Sequence, residues 1–476
     1  MMVVHRRPRI PGMSVAPARY ARAGAGRNAG GGIPDGRVSR SGSPAAVRRP
    51  GRGRESSLSA PPGLGPSASA ALLTVKPILL DYGSTDPLVL EPSDADVAFD
   101  ARGPAGVKGD AAAALAATAI DTPGNGPPLV AHVVPGDRVA LALAGPIPAA
   151  GPIVATIRSR LESAGVAAEN CAIVHAPPLI STQAPSAATS PPAGEFVFDP
   201  SQESGSAYLG PDAEGIPLHV ARTLVDADVV VTVGVSTWDA ALGGHSLDGD
   251  LWPAFAPAAA RADVLRHLAR SGRKAVQPLR ERSREIGWQL GTMATLRVVP
   301  GRGGAVHAIE FGTPLATDRA ARRHAQLWRP RLPGSPRLTI ASLVSPESGM
   351  PALVRAVAAA ARTTHPEGTI CIASRLATPP GPVFHRWRQG VALKPLVEEA
   401  LASGDQTLIA DAVATRFFAQ ALGDRRLVLL SDLDQGLVED LEFGHAATPE
   451  AVERLAHRAE SLVVLHEAER MLPRLG

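Results

Sequence analysis

The sequence predicts an α/β protein with two α/β domains built on mainly parallel sheets and preceded by a disordered tail. Apolar strand-like runs alternate with helical segments over most of the chain. The run Val229–Val233 is continuously apolar, as in strands of a parallel sheet that is covered on both faces. A chain of 476 residues also exceeds one ordinary domain. We expect a tail at 1–75, a first domain at 76–280 and a second at 281–476.

The tail differs from the rest of the chain in charge and composition. Residues 1–55 contain twelve Arg, no Lys and two acids, a net charge of +10, so the remainder carries −7 of the total of +3. Too few large apolar residues are present to form a core, which predicts disorder. The tail has four interpretations: an organellar transit peptide, a weak polyanion-binding segment, an over-long gene reading with Met13 or a later start, or a segment without function.

The mildly acidic body argues against specific nucleic-acid binding. No run of ~18 apolar residues is present to span a bilayer, and no secretory signal is recognised. Cys171 and Cys371 lie 200 residues apart in apolar, strand-like runs. Free buried thiols in a reducing cytoplasm are the simplest interpretation. We therefore expect a cytoplasmic protein without a membrane or nucleic-acid partner.

Local patterns define the elements of the first domain. Apolar runs predict strands, and an apolar residue every three to four positions predicts helices. Gly272 is placed to end the last of these helices. The predicted elements are strands at Asp137–Ala144, 171–176 and Val229–Val233, a short strand and helical turn within 216–228, helices at Gly151–Gly165 and 261–272, and a Pro/Ser/Ala loop at Pro177–Ala193.

The second domain begins with "MATLRVVPGRGGAVHAIEFGT", two alternating strands around a Gly-rich turn, which predicts a hairpin. A repeat of helix and strand follows. The predicted elements are helices at Asp318–Trp328, 349–364 and Thr448–Ser461, two helical stretches between 377 and 424, and strands at 337–345, 368–376, 425–432 and 462–467.

The common catalytic motifs are absent. The chain has no G-x-G-x-x-G after a strand, no phosphate-binding P-loop and no G-x-S-x-G elbow. The segment "PGRGGA" joins two strands rather than opening a helix, so a hairpin turn is its expected structure. The thirteen His lack the spacing of a metal site, and we predict no metal ligands. From residue chemistry alone, the catalytic residues are unknown.

Several segments, in order, resemble the lactate racemase family, whose members bind a nickel-pincer nucleotide. The segment "VVPGDRVALALAGPIPAAGPIVATIRSRLESAGV" is similar to the family's "VKPGDKVAIVVSDxTRPxP…LLEELxxAGV", and "YLGPDAEGIPLHVARTLVDADVVVTVG" to "LGxTxxGxPVxVNxxVxEADxVIxxG". "VVVTVGVSTWDAALGGHS" then leads into the place of "PHYFAGFSGGxK", the family's cofactor-anchoring loop. "HPEGTICIASR", "VFHRWRQG" and "ALGDRRLVLLSDL" resemble segments of its C-terminal domain.

The resemblance covers about Lys76 to Gly476 and implies lactate racemase-like N-terminal and C-terminal domains facing each other across a cleft. The anchoring loop lies after a central strand, where open α/β sheets bind ligands. The cofactor-binding positions implied by the resemblance are Gly243, Gly244, His245, Ser246, Arg355 and Trp387. The implied ligand is a 2-hydroxy acid or a nucleotide-like molecule in that cleft.

Key family residues are replaced in this chain. Ser246 stands at the anchoring Lys, Ser236 at a nickel-supporting His, and Leu179 near a catalytic His. Gly145 and Pro148 stand at an Asp and an Arg that handle cofactor and substrate, and Arg355 replaces a Lys with its charge kept. His175 and His245 are the alternative histidines.

These replacements lead to three hypotheses. The first is a non-racemising, ligand-binding paralogue that has not retained the nickel-pincer nucleotide. The second is a divergent nickel-pincer-dependent racemase or epimerase of lactate or another 2-hydroxy acid, an isomerase. The third is an unrelated α/β protein. Racemisation needs a hydride acceptor and bases on both sides of the chiral carbon, so the replacements favour the first hypothesis.

Overall fold

Two six-stranded, mainly parallel sheets form the frame of the described chain. The computed structural model describes residues 77–93, 98–180, 194–212, 214–344 and 349–476. The predicted tail at 1–75 and residues 181–193 of the predicted loop lie outside these ranges. All described residues belong to one compact unit. The predicted α/β class with mainly parallel sheets is confirmed.

The strands are β1 (Ile78–Leu80), β2 (Leu88–Leu90), β3 (Ala98–Ala101), β4 (Val139–Ala144), β5 (Cys171–His175), β6 (Glu195–Val197), β7 (Ser206–Pro211), β8 (Pro217–Ala221), β9 (Val229–Val235), β10 (Trp238–Asp239), β11 (Gly244–His245), β12 (Ala294–Pro300), β13 (Val306–Gly312), β14 (Arg331–Leu332), β15 (Leu338–Leu343), β16 (Thr369–Ser374), β17 (Arg426–Leu430), β18 (Gly444–His445), β19 (Leu462–Leu465) and β20 (Arg474–Leu475).

The helices are α1 (Gly109–Asp121), α2 (Ala150–Ser163), α3 (Arg222–Asp226), α4 (Leu251–Ala254), α5 (Ala258–Ser271), α6 (Val276–Gln289), α7 (Pro314–Ala325), α8 (Gly349–Ala361), α9 (Pro382–Arg388), α10 (Leu393–Ser403), α11 (Gln406–Leu422), α12 (Gln435–Asp440) and α13 (Pro449–His457). None of the helices in these described ranges combines the length and apolar character needed to cross a membrane.

The first sheet has the order β13-β12-β9-β4-β5-β6, and only β13 runs antiparallel to its neighbour. Every residue of β4 is buried, which is why its sequence is a continuous apolar run. Helices α1 and α2 cover one face with Ile120, Ile153, Ile157 and Leu161. The other face turns towards the main core.

The second sheet has the order β18-β17-β16-β15-β19-β3, all parallel. The β1–β2 hairpin and α13 cover one face, and α8 and α11 lie in the core on the other. That core is continuous with the apolar side chains of the first sheet's helices. A guanidinium nitrogen of Arg416, on α11, donates to the carbonyl of Ala269, on α5, at 2.5 Å.

The two sheets exchange strands across the predicted domain boundary. The hairpin β12–β13, predicted as the start of the second domain, joins the first sheet because β12 pairs in parallel with β9. Strand β3, from the first predicted domain, pairs with β19 in the second sheet. Each sheet therefore contains strands from both sides of residue 280. The division of the chain into two domains at that residue stays a prediction.

Element bounds differ modestly from prediction. The helix predicted at Asp318–Trp328 begins earlier, at Pro314, and ends at Ala325, because proline suits the first helical turn. The helix predicted to reach Ser461 ends at His457. Gly272 caps α5 with a φ of +55°, as predicted. The elements that were not predicted are strands β1 to β3, β6, β7, β10, β11, β14, β18 and β20 and helices α1, α4, α6 and α12.

Candidate functional site

The stretch after β9 folds into a small hairpin at the carboxyl edge of the first sheet. Strand β10 pairs antiparallel with β11, with Trp238 opposite His245 and Asp239 opposite Gly244. The turn closes because an Asp239 carboxylate oxygen accepts from the Leu242 N–H at 2.9 Å. Gly243 takes a φ of +74°, a conformation that glycine adopts without strain. The Gly-Gly pair is thus the end of a hairpin turn.

Trp238 anchors this hairpin to the body. Its indole N–H donates to the carbonyl of Ala325 at 2.6 Å, at the end of α7. The His245 ring stacks on the indole with centroids 3.8 Å apart and planes 26° apart. The Arg329 guanidinium lies 4.8 Å from the indole centroid. The position of the His245 ring is therefore set by stacking.

A small polar pocket opens beside the hairpin, at the carboxyl ends of β9 and β12. Three arginines, three aspartates, three hydroxyl side chains and one imidazole surround it. The lining residues are Val235, Ser236, Thr237, His245, Ser246, Asp248, Asp250, Arg280, Arg297, Asp318 and Arg322. Open α/β sheets bind their ligands at this edge.

Arg297 forms the charged floor of the pocket. Its Nε lies 2.8 Å from an Asp318 carboxylate oxygen, and an Nη lies 3.8 Å from Asp250. It also donates to the Gly249 carbonyl. Burial raises the pKa of Asp250 to about 6, although the Arg297 charge opposes this rise. Arg297 and its two acids form a linked group that carries one net negative charge when both acids are ionised.

The wall of the pocket carries two further arginines, Arg280 and Arg322, whose charges act against the effect of burial on the pKa of Asp250. Arg280 donates to the backbone carbonyl of His245. Burial lowers the pKa of His245 to about 3, and the charges of Arg322 and Arg280 lower it further. The imidazole is therefore neutral at pH 7. Among the described residues, neither Arg280 nor Arg322 forms an ion pair with a carboxylate.

The structure brings four of the six sequence-predicted positions together. Gly243, Gly244 and His245 form the turn and second strand of the hairpin, and Ser246 follows, its N–H donating to the Thr237 carbonyl at 3.0 Å. Ser246 is buried, and its hydroxyl accepts from the Asp248 N–H at 3.0 Å. His245 and Ser246 line the pocket.

Arg355 and Trp387 lie outside the pocket lining. Arg355, on α8, is close enough to the buried Asp239 to lower its pKa, while burial raises that pKa overall. It acts in the same way on the buried Glu469. Trp387 packs edge-on against Phe384, with centroids 5.4 Å apart, in an aromatic cluster of α9 and α11. A cofactor role for either residue stays a prediction.

The charged lining was not among the residues predicted from the sequence. Asp248, Asp250, Arg280, Arg297, Asp318 and Arg322 come from a loop, two helices and a strand, so no local motif joins them. Two signals were available. Asp248 and Asp250 follow the Gly-Gly turn in "GGHSLDGD", and Arg297 interrupts an otherwise apolar strand. A lone charge in a buried strand indicates an internal partner or a ligand.

Gly145, at the end of β4, adjoins this pocket. Its φ is +83°, and a Cβ added there would lie 2.8 Å from a Val235 methyl and 3.1 Å from the Asp248 Cβ. His175, one of the alternative histidines, lies elsewhere along the same edge, 2.5 Å from a Glu195 carboxylate oxygen. The other, His245, is in the pocket.

No family model and no curated protein sequence matches this chain. Solved structures do. The chain resembles a lactate racemase in fold. The apoprotein of lactate racemase from Thermoanaerobacterium thermosaccharolyticum superimposes with a TM-score of 0.64 and 15% identity, covering 84% of this chain and all of that one. A protein from Thermotoga maritima matches with a TM-score of 0.54 and 13% identity, over 76% and 97% of the two chains.

At these identities the likeness to lactate racemase shows the fold alone. It agrees with the resemblance seen in the sequence segments. The fold places the hairpin and its pocket at a sheet edge. What the pocket binds has to be inferred from the residues that line it in this chain.

Proposed function

We propose that this protein binds a small carboxylate- or phosphate-bearing molecule, such as a 2-hydroxy acid or a nucleotide-like compound, and does not racemise it. The observation that carries the proposal is the pair Arg280 and Arg322, which line a hydroxyl-rich pocket and have no carboxylate within ion-pair distance among the described residues. Guanidinium groups bind carboxylate and phosphate oxygens through charge-assisted hydrogen bonds. Ser236, Thr237 and Ser246 add hydroxyls.

The pocket residues do not fit a tethered nickel-pincer nucleotide. None of the lining residues is a Lys that would form the amide-type link, and the Ser246 hydroxyl cannot replace it. The space beside Gly145, where the resembling family carries an Asp, is filled by Val235 and Asp248. Arg280 and Arg322 would repel a metal cation next to the imidazole of His245. These observations support loss of the cofactor.

The pocket holds groups that can act as bases, His245 and Asp248 among them, but none of its lining side chains can accept a hydride. His245 is held flat against Trp238 and beside two guanidinium groups, which disfavours its protonated form. Without a hydride acceptor, these bases do not complete the hydride-transfer racemisation of a 2-hydroxy acid. The arrangement favours binding over catalysis.

The proposal includes a cytoplasmic location, supported by two free cysteines, one of them fully buried. It includes no specific nucleic-acid or membrane partner. The net negative charge of residues 56–476 supports the absence of a nucleic-acid partner.

Two measurements test the function. Intact-mass spectrometry and metal analysis, after co-expression with the enzymes that make the pincer, should show no covalent adduct and far less than one nickel per chain. Lactate enantiomers should not interconvert. A mass increment matching the pincer, or near-stoichiometric nickel, would contradict the proposal and support a divergent racemase or epimerase. His245 is the observation in favour of that alternative, because a neutral imidazole is a nickel ligand.

Binding itself is tested by calorimetric titration with propionate, lactate and adenosine monophosphate. At least one should bind, and Arg322→Gln should weaken its binding about tenfold or more, since hydrogen bonds to charged groups contribute ~1.5–3 kcal/mol. Arg323→Gln is the matched control, because Arg323 is the exposed neighbour on the same helix. Equal effects of the two substitutions would place the binding site elsewhere.

A further inference from the structure

The charges around the pocket balance. The lining carries three arginines and three aspartates, and the neutral His245 adds nothing at pH 7. Arg297 is paired with Asp318 and Asp250. Arg280, Arg322 and Asp248 remain without an ion-pair partner in the described part of the chain. The pocket therefore presents both positive and negative charge to a ligand.

Asp248 is held by its backbone. Its N–H donates to the Ser246 hydroxyl at 3.0 Å, and Asp250 N–H donates to the Leu247 carbonyl at 3.2 Å, which closes a turn around it. Gly249 follows with a φ of +88° and packs its backbone on Arg297. The carboxylate of Asp248 makes no hydrogen bond of its own among the described residues. A placed carboxylate without a partner is suited to receive a donor from a ligand.

A simple monocarboxylate would provide a partner for the arginines of the pocket but not for Asp248. Its carboxylate would pair with the arginines, and Asp248 would face a second negative group across a small pocket. A 2-hydroxy acid adds a neutral hydroxyl donor. An α-amino acid adds an ammonium on the carbon beside the carboxylate, so both of its charges are matched by charges of the pocket.

We propose that this pocket binds a small α-amino acid as a zwitterion, with its carboxylate on Arg280 and Arg322 and its ammonium on Asp248. The inference rests on the proposed function and names the ligand class for that site. The small size of the pocket and its short hydroxyl side chains favour glycine, alanine or serine.

Calorimetric titration of the full chain with both enantiomers of alanine and of lactate, and with propionate, tests the inference. The better alanine enantiomer should bind at least tenfold more tightly than either lactate enantiomer. Asp248→Asn should reduce this preference to about one, with propionate binding unchanged or strengthened, because a negative charge that faces its carboxylate is removed. Arg322→Gln should weaken all the compounds. Asp263→Asn, at an exposed acid on α5, is the control and should change nothing.

The outcomes separate the two proposals. Lactate or propionate binding as tightly as alanine, lost in Arg322→Gln, would overturn the amino-acid inference and leave the carboxylate-binding function standing. Binding of none of these compounds or of adenosine monophosphate would overturn both. Should Asp248→Asn fail to fold, as judged by circular dichroism, the wild-type preference between alanine and lactate decides alone.

Discussion

Gly145 illustrates how one residue shapes the pocket. It ends the buried strand β4 and turns the chain with a φ of +83°. A side chain at this position would meet Val235 and Asp248, which line the pocket. The absence of a side chain at residue 145 thus leaves room for the loop that follows the hairpin and carries Asp248 and Asp250.

Gly145→Ala should lower the free energy of unfolding by ~1–3 kcal/mol. The new Cβ would lie 2.8 Å from a Val235 methyl, and alanine is strained at positive φ. Urea titration measures the loss. The control is Gly151→Ala, near the start of α2, where an added Cβ meets open space and the helix should gain up to ~1 kcal/mol. Equal stability of the Gly145 variant and the wild type would contradict the packing described.

The hairpin β10–β11 is an element too short to fold by itself. Each strand has two residues, and isolated hairpins are marginal in water. Its stability comes from Trp238, which bonds to α7 and stacks on His245. The element that carries the pocket's imidazole and Ser246 therefore depends on one buried aromatic residue.

Trp238→Ala should cost ~3–5 kcal/mol in unfolding free energy, because a buried indole, its hydrogen bond and a ring stack are lost together. Trp238→Phe should cost less, since it keeps an aromatic face and loses the N–H donor. Trp288→Ala is the control: Trp288 is 81% exposed, and its loss should change stability by less than ~0.5 kcal/mol. Chemical denaturation of the three variants measures these losses of unfolding free energy. A loss for Trp238→Ala no larger than that for Trp288→Ala would contradict the anchoring role of Trp238.

At the scale of the whole molecule, the pocket gives stability an unusual pH dependence. His245 has a pKa of about 3 in the fold, below the ordinary value of 6.5, so the unfolded chain takes up a proton first as pH falls. That contribution destabilises the fold below about pH 6.5. Asp250, with a pKa of about 6 in the fold and 3.8 ordinarily, acts in the opposite sense, because the folded chain takes up its proton first.

The two groups can be separated by substitution. His245→Gln should remove a loss of up to ~1.4 kcal/mol per pH unit between pH 6 and 4, so the variant resists acid better than the wild type. Asp250→Asn should remove the opposing gain over the same range and unfold more readily as pH falls. Thermal unfolding from pH 4 to 8 measures both slopes. Parallel curves for the two variants would contradict the assigned environments.

Most elements that were predicted correctly carry a recognisable local sequence pattern. Strand β4 is a continuous apolar run, α5 ends at a glycine, and β12–β13 alternates around a Gly-rich turn. Strands β1 to β3 are only three or four residues long, too short for a reliable period. The sheet that β12 joins was not predictable, because strand pairing depends on contacts between distant segments.

The sequence by itself determined the alternation of strands and helices and the glycine that ends α5, since both depend on residue type and near neighbours. Only the tertiary structure decided which charges meet. Asp248, Arg280, Arg297 and Arg322 lie up to 74 positions apart in the sequence. They surround one pocket because β9 and β12 end at the same edge, α7 packs against β12, and Arg280 on α6 bonds to the His245 carbonyl. Coulombic interaction depends on distance in space, so these groups acquire their chemistry only in the fold.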